Sequence, residues 1–121
     1  MEHKIEVLNS HLLTDQDIDD LMTAAFEGGI NYWCGKVTFK DDLPEFKDKY
    51  ASDCIALGAT LILHDAESSD KWELDLEKVL KGITMFCTEA NMPLSDLIDN
   101  HDADVADKII QYALFNEQVF A

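Results

Sequence analysis

The sequence predicts an α+β fold of about four helices packed on a small, mainly antiparallel sheet of three to five short strands. Two observations favour this class. Apolar residues recur with helical spacing in some segments, while other segments are short runs of β-branched and aromatic residues bounded by turn residues. The chain has 121 residues, 47% of them hydrophobic, and no internal repeat, so we expect a single domain over residues 1–121 with a substantial core.

The N-terminal part predicts a strand followed by a capped helix. Residues 5–8 favour the strand. Thr14, with Asp17 three residues later, is a variant of the capping box, and the apolar spacing behind it predicts a helix over 15–27. The pair Gly28-Gly29 ends this helix.

The middle of the chain predicts a helix among strands. Residues 30–39 favour a strand, with Gly35 as a bulge. Pro44 suits the first turn of a second helix, which the apolar spacing carries to Leu57. Residues 60–64 and 71–74 then predict two strands of a hairpin.

Two helices and a final strand are predicted in the C-terminal part. Asp75 suits the N-cap of a helix that continues to Ala90, where Asn91-Met92-Pro93 breaks it. After a short turn over 94–98, Asp102 or Asp104 suits the N-cap of the last helix. The tail, residues 115–120, favours a short strand.

The charge of the chain restricts its partners. The sequence has 25 acidic residues against 9 basic ones, all Lys, for a net charge of −16. A field of this sign repels a phosphate backbone, and Arg, the residue best suited to bidentate phosphate contacts, does not occur. The sequence also shows no apolar run that could span a bilayer and no secretory signal. We therefore expect no direct nucleic-acid or membrane binding, and a cytoplasmic location.

The acidic residues form four groups at predicted helix starts and loops. The first two lie within residues 15–20 and 41–48. The last two are the densest, and we take them as the candidate partner-binding residues: Asp65, Glu67, Asp70, Glu73, Asp75, Glu77, Asp96, Asp99, Asp102, Asp104 and Asp107. Each group alone is typical of solvated helix caps. Together they lower the stability of the fold by self-repulsion. We therefore favour the interpretation that the acidic surface complements a basic partner.

A metal site is the alternative from another class. His64 and His101 each lie beside carboxylates, so zinc or another divalent metal could be bound, with metal-dependent hydrolysis as the resulting activity. No CxxC, HxxxH or HExxH spacing supports it, however, and no cofactor is predicted. For His64 the commoner outcome is an imidazole satisfied by its neighbour Asp65.

Nucleophilic catalysis is poorly supported. Cys54 and Cys87 fall on predicted apolar helix faces and are expected in the core, whereas Cys34 is expected to be partly exposed in its strand. None of them has a nearby His with a third orienting group in the sequence. Trp33 and Trp72 are expected in the core or the hairpin.

Three segments carry a resemblance to known proteins: EGGINYWCGKV at 27–37, LILHDAESSDKWELDLEKVLKGI at 61–83 and DADVADKIIQYALFNEQVFA at 102–121. They resemble small acidic proteins encoded in phages, prophages and mobile elements of Firmicutes, over about half the chain. Proteins of this type include anti-CRISPR proteins that act on the RNA-guided nuclease of type II systems. The resemblance implies a phage or prophage origin and an action in the host cytoplasm, and gives no functional residues to carry over.

The function expected from charge and resemblance together is a noncatalytic inhibitor of a host defence nuclease. It would place an acidic face on a basic surface that normally holds nucleic acid. Besides the metal alternative, a phage accessory protein with a structural or assembly role stays open. The sequence does not indicate the oligomeric state.

Overall fold

The computed structural model describes residues 2–5 and 11–121, with side chains from Leu13 onward. Within these residues the fold is α+β, as predicted. Its α-helices are α1 (Asp15–Ala24), α2 (Leu76–Ala90), α3 (Leu94–Asn100) and α4 (Ala103–Phe115). Its strands are β1 (Glu2–Ile5), β2 (His11–Thr14), β3 (Cys34–Phe39), β4 (Leu61–Asp65) and β5 (Lys71–Leu74).

The strands form two antiparallel sheets. β1 pairs with β2, and a three-stranded sheet has the order β3-β4-β5. Of the strand predicted over 5–8, Ile5 ends β1 and the remaining residues lie outside the described part of the chain. The bulge predicted at Gly35 is confirmed, because the β3–β4 pairing shifts between Cys34 and Lys36.

The capping residues read from the sequence are confirmed at three helix starts. Thr14 Oγ1 accepts from the backbone N–H of Asp17 at 3.1 Å, and the Asp17 carboxylate accepts from that of Thr14 at 3.0 Å. Asp75 and Asp102 each accept a backbone N–H three residues ahead, at 2.9 Å. These carboxylates satisfy amides that the first helical turn leaves without partners.

Two helix ends also follow the sequence. After α1 the chain makes a π-helical turn, Ala25–Gly29, so the helical path stops at the predicted glycines. The predicted strand over 30–39 therefore begins only at Cys34. α2 ends at Ala90 and is capped by Asn91, whose φ of 53° is the left-handed cap conformation that Asn tolerates.

The helix predicted from Pro44 to Leu57 is wrong. This segment contains only two single 3-10 turns, Pro44–Phe46 and Ala51–Asp53. Asp48 has a φ of 63°, which a continuous right-handed helix cannot contain. The segment is instead held by the burial of Phe46, Cys54 and Ile55.

Two C-terminal predictions are also corrected. The short turn expected over 94–98 is the helix α3, with Pro93 at its N-cap position. The tail expected as a strand is irregular after α4 ends. The backbone N–H groups of Val119 and Phe120 donate to the Gln111 side chain, so this part of the tail lies against α4.

The core is one cluster of buried side chains drawn from helices, strands and the 44–57 segment. Helices α2 and α4 pack closely at Gly82, where a Cβ atom would lie 2.4 Å from the carbonyl oxygen of Ile109. Cys54 and Cys87 are fully buried, and Trp33 is in the core, as predicted. In the described residues, no helix has the length and apolar character that a membrane span requires.

Candidate functional site

A buried carboxylate organises the region where the end of α1, the β4–β5 hairpin and α4 meet. The Asp107 carboxylate accepts from Trp33 Nε1 at 2.8 Å, from the Tyr32 hydroxyl at 2.6 Å and from Gln111 Nε2 at 3.0 Å. Asp107 is only 3% exposed. Its predicted place on the partner-binding surface is therefore wrong: three neutral donors hold this charge inside the protein.

Gln111 fixes the C-terminal tail against this network. Its side-chain oxygen accepts from the backbone N–H groups of Val119 at 2.7 Å and Phe120 at 2.8 Å. Its amide nitrogen donates to the Phe120 carbonyl at 3.2 Å as well as to Asp107. The amide thus pairs with the tail much as a neighbouring strand would.

Aromatic rings also hold the C-terminal tail in place. The Phe120 ring stacks on Trp33, with centroids 4.9 Å apart and an interplanar angle of 4°. Trp72 meets Trp33 edge-on at 5.8 Å and Phe115 edge-on at 5.1 Å. Offset and edge-to-face pairs of this kind stabilise beyond their buried area. The tail is therefore held by both hydrogen bonds and ring packing.

Tyr32 is the part of this network that reaches solvent. Its side chain is anchored through the hydroxyl group, yet the residue is 50% exposed. Desolvation and the hydrogen bond to Asp107 raise the pKa of Tyr32 to about 12. At neutral pH the hydroxyl is therefore a proton donor, and its hydrogen bond to Asp107 anchors the ring at the surface.

Carboxylates of two acidic groups flank Tyr32. A cavity of about 170 Å³ lies beside the ring and is lined by Tyr32, Trp33, Asp65, Ala66, Glu67, Phe120 and Ala121. Asp104, in the first turn of α4, is close enough to contribute to the raised pKa of Tyr32. We call Tyr32, Asp65, Glu67 and Asp104 the Tyr32 surface.

The other predicted partner-binding residues are dispersed. Asp70, Glu77, Asp96 and Asp99 are exposed but do not line this cavity. Asp75 and Asp102 are the N-caps of α2 and α4. Glu73 lies on the sheet, where its carboxylate accepts from Lys40 at 3.1 Å. The structure thus brings four of the eleven residues to one aromatic side chain: Asp65, Glu67 and Asp104 beside the ring, and the buried Asp107 at its hydroxyl group.

Few lysines neutralise this surface. Among the described residues, ion pairs within 4 Å join Lys40 to Glu73 and Lys108 to Asp104. Asp65 accepts a hydrogen bond from Ser68, which leaves its charge in place, and Glu67 has no partner within the described chain. Of the three carboxylates beside Tyr32, Asp104 is paired with Lys108, whereas Asp65 and Glu67 form no ion pair with a described residue and keep their negative potential.

A larger open cleft, of about 520 Å³, lies between α1, β3 and the Ala51–Asp53 turn. Cys34 is among its lining residues, but the predicted partial exposure of this cysteine is wrong, since it is 5% exposed. Burial raises the pKa of the Cys34 thiol, which disfavours the nucleophilic thiolate. Away from this cleft, burial also raises the pKa of the Cys87 thiol, to about 11. The cleft thus lacks an activated thiol.

The histidines proposed as metal ligands have other partners. His64 Nε2 is 2.8 Å from Thr38 Oγ1, so the predicted contact with Asp65 is wrong; consecutive residues of a strand point to opposite faces. His101 Nδ1 lies 3.2 Å from the carbonyl oxygen of Ile98. Within the part of the chain whose side chains are described, no three His, Cys, Asp or Glu side chains converge as a metal site.

Sequence reasoning missed Gln111 and the anchoring of Tyr32. The available signal was the helical spacing of Asp107 and Gln111, four residues apart in a helix otherwise rich in apolar residues. The segments 27–37, 61–83 and 102–121 all contribute to this site. Comparison of the chain with protein-family models, curated proteins and solved structures found no match.

Proposed function

We propose that the protein is a noncatalytic inhibitor that docks the Tyr32 surface on a basic surface of a host defence nuclease. The observation that carries the proposal is the rigidly held, half-exposed Tyr32 between carboxylates that few lysines neutralise. The resemblance to phage-encoded proteins makes an RNA-guided CRISPR nuclease of type II the first partner to test. Action in the host cytoplasm belongs to the same proposal.

The electrostatics support association with a cationic groove. With a net charge of −16, the protein attracts a basic surface over distances beyond contact, which accelerates encounter. A groove that normally holds nucleic acid presents closely spaced Lys and Arg side chains. Carboxylates in place of phosphates can pair with these groups and exclude the nucleic acid.

Tyr32 gives the proposed interface an anchored aromatic side chain, which charge alone does not provide. Interfaces depend on a few anchored side chains, among which Tyr and Trp are enriched, because rigid rings bury area at low entropic cost. The hydrogen bond to Asp107 restricts the Tyr32 ring before any partner binds. The adjoining cavity of about 170 Å³, with Asp65 and Glu67 in its lining, suits the end of one Lys or Arg side chain.

The test compares two charge reversals of equal size. Glu67→Lys with Asp104→Lys changes two carboxylates of the Tyr32 surface, and Asp41→Lys with Asp42→Lys changes a loop elsewhere; all four residues are exposed. We expect the Tyr32-surface variant to bind the purified guide-loaded nuclease about tenfold more weakly and to lose inhibition of DNA cleavage in proportion. The loop variant should bind within about threefold of wild type.

Three outcomes would contradict the proposal. Wild-type protein that neither binds nor inhibits the nuclease would remove this partner. Equal losses in both variants would show that net charge alone matters, not the Tyr32 surface. Binding unaffected by raising salt from about 0.05 to 0.5 M would rule out charge steering.

A further inference from the structure

The outward face of the three-stranded sheet differs from the rest of the molecule in charge. Lys36, His64 and Lys71 occupy directly opposite positions on β3, β4 and β5, so their side chains share one face. Leu61 and Leu63, on the other face of β4, are fully buried. Because adjacent strands lie about 4.8 Å apart, the two lysines stand about 10 Å apart with His64 between them.

The two lysines of this row lack an ion-pair partner among the described residues, although the chain has a large excess of carboxylates. Lys40, on the same face, pairs with Glu73 at 3.1 Å. Lys36 and Lys71 form no ion pair with any described residue. Charges are screened over about 8 Å at physiological ionic strength, so an ion on this face feels these two ammonium groups more than distant carboxylates.

His64 adds a donor at the centre of the row. Partial burial and the neighbouring Lys36 and Lys71 lower the pKa of His64, so the ring is neutral near pH 7. In the tautomer in which the Thr38 hydroxyl donates to Nε2, the ring proton is on Nδ1 and can be donated to a ligand. Above the sheet lies a shallow cavity of about 350 Å³ lined by Thr38, Ile62, His64, Lys71, Trp72 and Glu73.

We propose that this face binds a phosphate group between Lys36 and Lys71, with His64 donating to it from below. Two flexible ammonium groups and one N–H donor match the several acceptor oxygens of a phosphate. Glu73, the carboxylate in the lining of this cavity, is paired with Lys40 at 3.1 Å. The site lies on a different part of the fold from the Tyr32 surface and does not depend on the inhibitor function.

The experiment follows the imidazole signals of His64 by NMR during pH titrations of the full-length protein, with and without sodium phosphate. A bound phosphate stabilises the imidazolium, so it should raise the pKa of His64, with a dissociation constant in the millimolar range. The double variant Lys36→Gln with Lys71→Gln should weaken binding about tenfold or more. The control, Lys47→Gln with Lys49→Gln, alters two exposed loop lysines and should leave it unchanged.

A second arm distinguishes the source of the phosphate. A short single-stranded DNA oligonucleotide replaces sodium phosphate in the same titration. Tighter binding of the oligonucleotide through Lys36 and Lys71 would identify a nucleic-acid backbone as the ligand, and weaker binding would identify a small phosphorylated molecule. No effect on His64 from either probe, or equal losses in the two double variants, would overturn the proposal.

Discussion

Replacing Gln111 tests whether a single side chain holds the C-terminal tail in place. Gln111→Leu keeps the volume but removes the acceptor of two backbone N–H groups and one donor to Asp107. Each of these hydrogen bonds contributes about 0.5–1.5 kcal/mol net. If the tail detaches, the stacking of Phe120 on Trp33, worth about 0.5–1.5 kcal/mol, is lost as well.

From these contacts we expect Gln111→Leu to lower the free energy of unfolding by about 3 kcal/mol. For a domain of this size that corresponds to a fall in Tm of about 10 °C. Guanidinium denaturation followed by tryptophan fluorescence measures it, because the stacking ring lies on Trp33. Gln16→Leu, in an exposed position on α1, is the control and should change stability by less than about 0.5 kcal/mol.

A double-mutant cycle separates the role of the tail from that of the core. In a Phe120→Ala background, Gln111→Leu should cost about 1–2 kcal/mol less than in wild type, since the stacking of Phe120 on Trp33, which Gln111 supports, is already lost. A loss below about 0.5 kcal/mol for Gln111→Leu alone would refute the role of Gln111 in holding the tail. Full additivity of the two substitutions would refute the coupling between Gln111 and Phe120.

Further predictions concern packing and pH. Gly82→Ala should cost about 2 kcal/mol in denaturant unfolding, since its Cβ would clash with the Ile109 carbonyl; unchanged stability would contradict the close helix contact. Burial and like charges, Asp53 first, raise the pKa of Asp19, so Asp19→Asn should stabilise by about 0.5–1 kcal/mol at pH 7 and less towards pH 3. The fold raises the pKa of Tyr32 from 10 to about 12, so it favours the protonated hydroxyl. The free energy of unfolding of the wild type should therefore fall as the pH rises from 10 to about 12, and that of Tyr32→Phe should fall less.

The parts of the fold that depend on neighbouring residues were predictable. Asp75 and Asp102 cap helices through backbone groups three residues away, and the 3.6-residue spacing behind them is local as well. The segment from Pro44 to Leu57 has the same spacing but is not an α-helix. The positive φ of Asp48 and the burial of Phe46 are set by tertiary packing, which overrides propensity.

The candidate site was predictable only in part for a related reason. Acidic residues at helix starts and loops were correctly expected at the surface, as Glu67 and Asp104 show. Asp107 belongs to the same acidic run, yet it is buried because Tyr32 and Trp33, far away in sequence, supply donors. Composition and periodicity contain no information about such distant partners.

The hydrogen bonds of Asp107 also bear on how the chain folds. They join residues 74 and 75 positions apart, so each closes a long loop whose entropic cost is met only when both ends are in place. We expect these contacts to form after the rate-limiting step, so that Asp107→Asn mainly accelerates unfolding and leaves the refolding rate nearly unchanged. The lifetime of the folded state would then depend on the same carboxylate that holds Tyr32 at the surface.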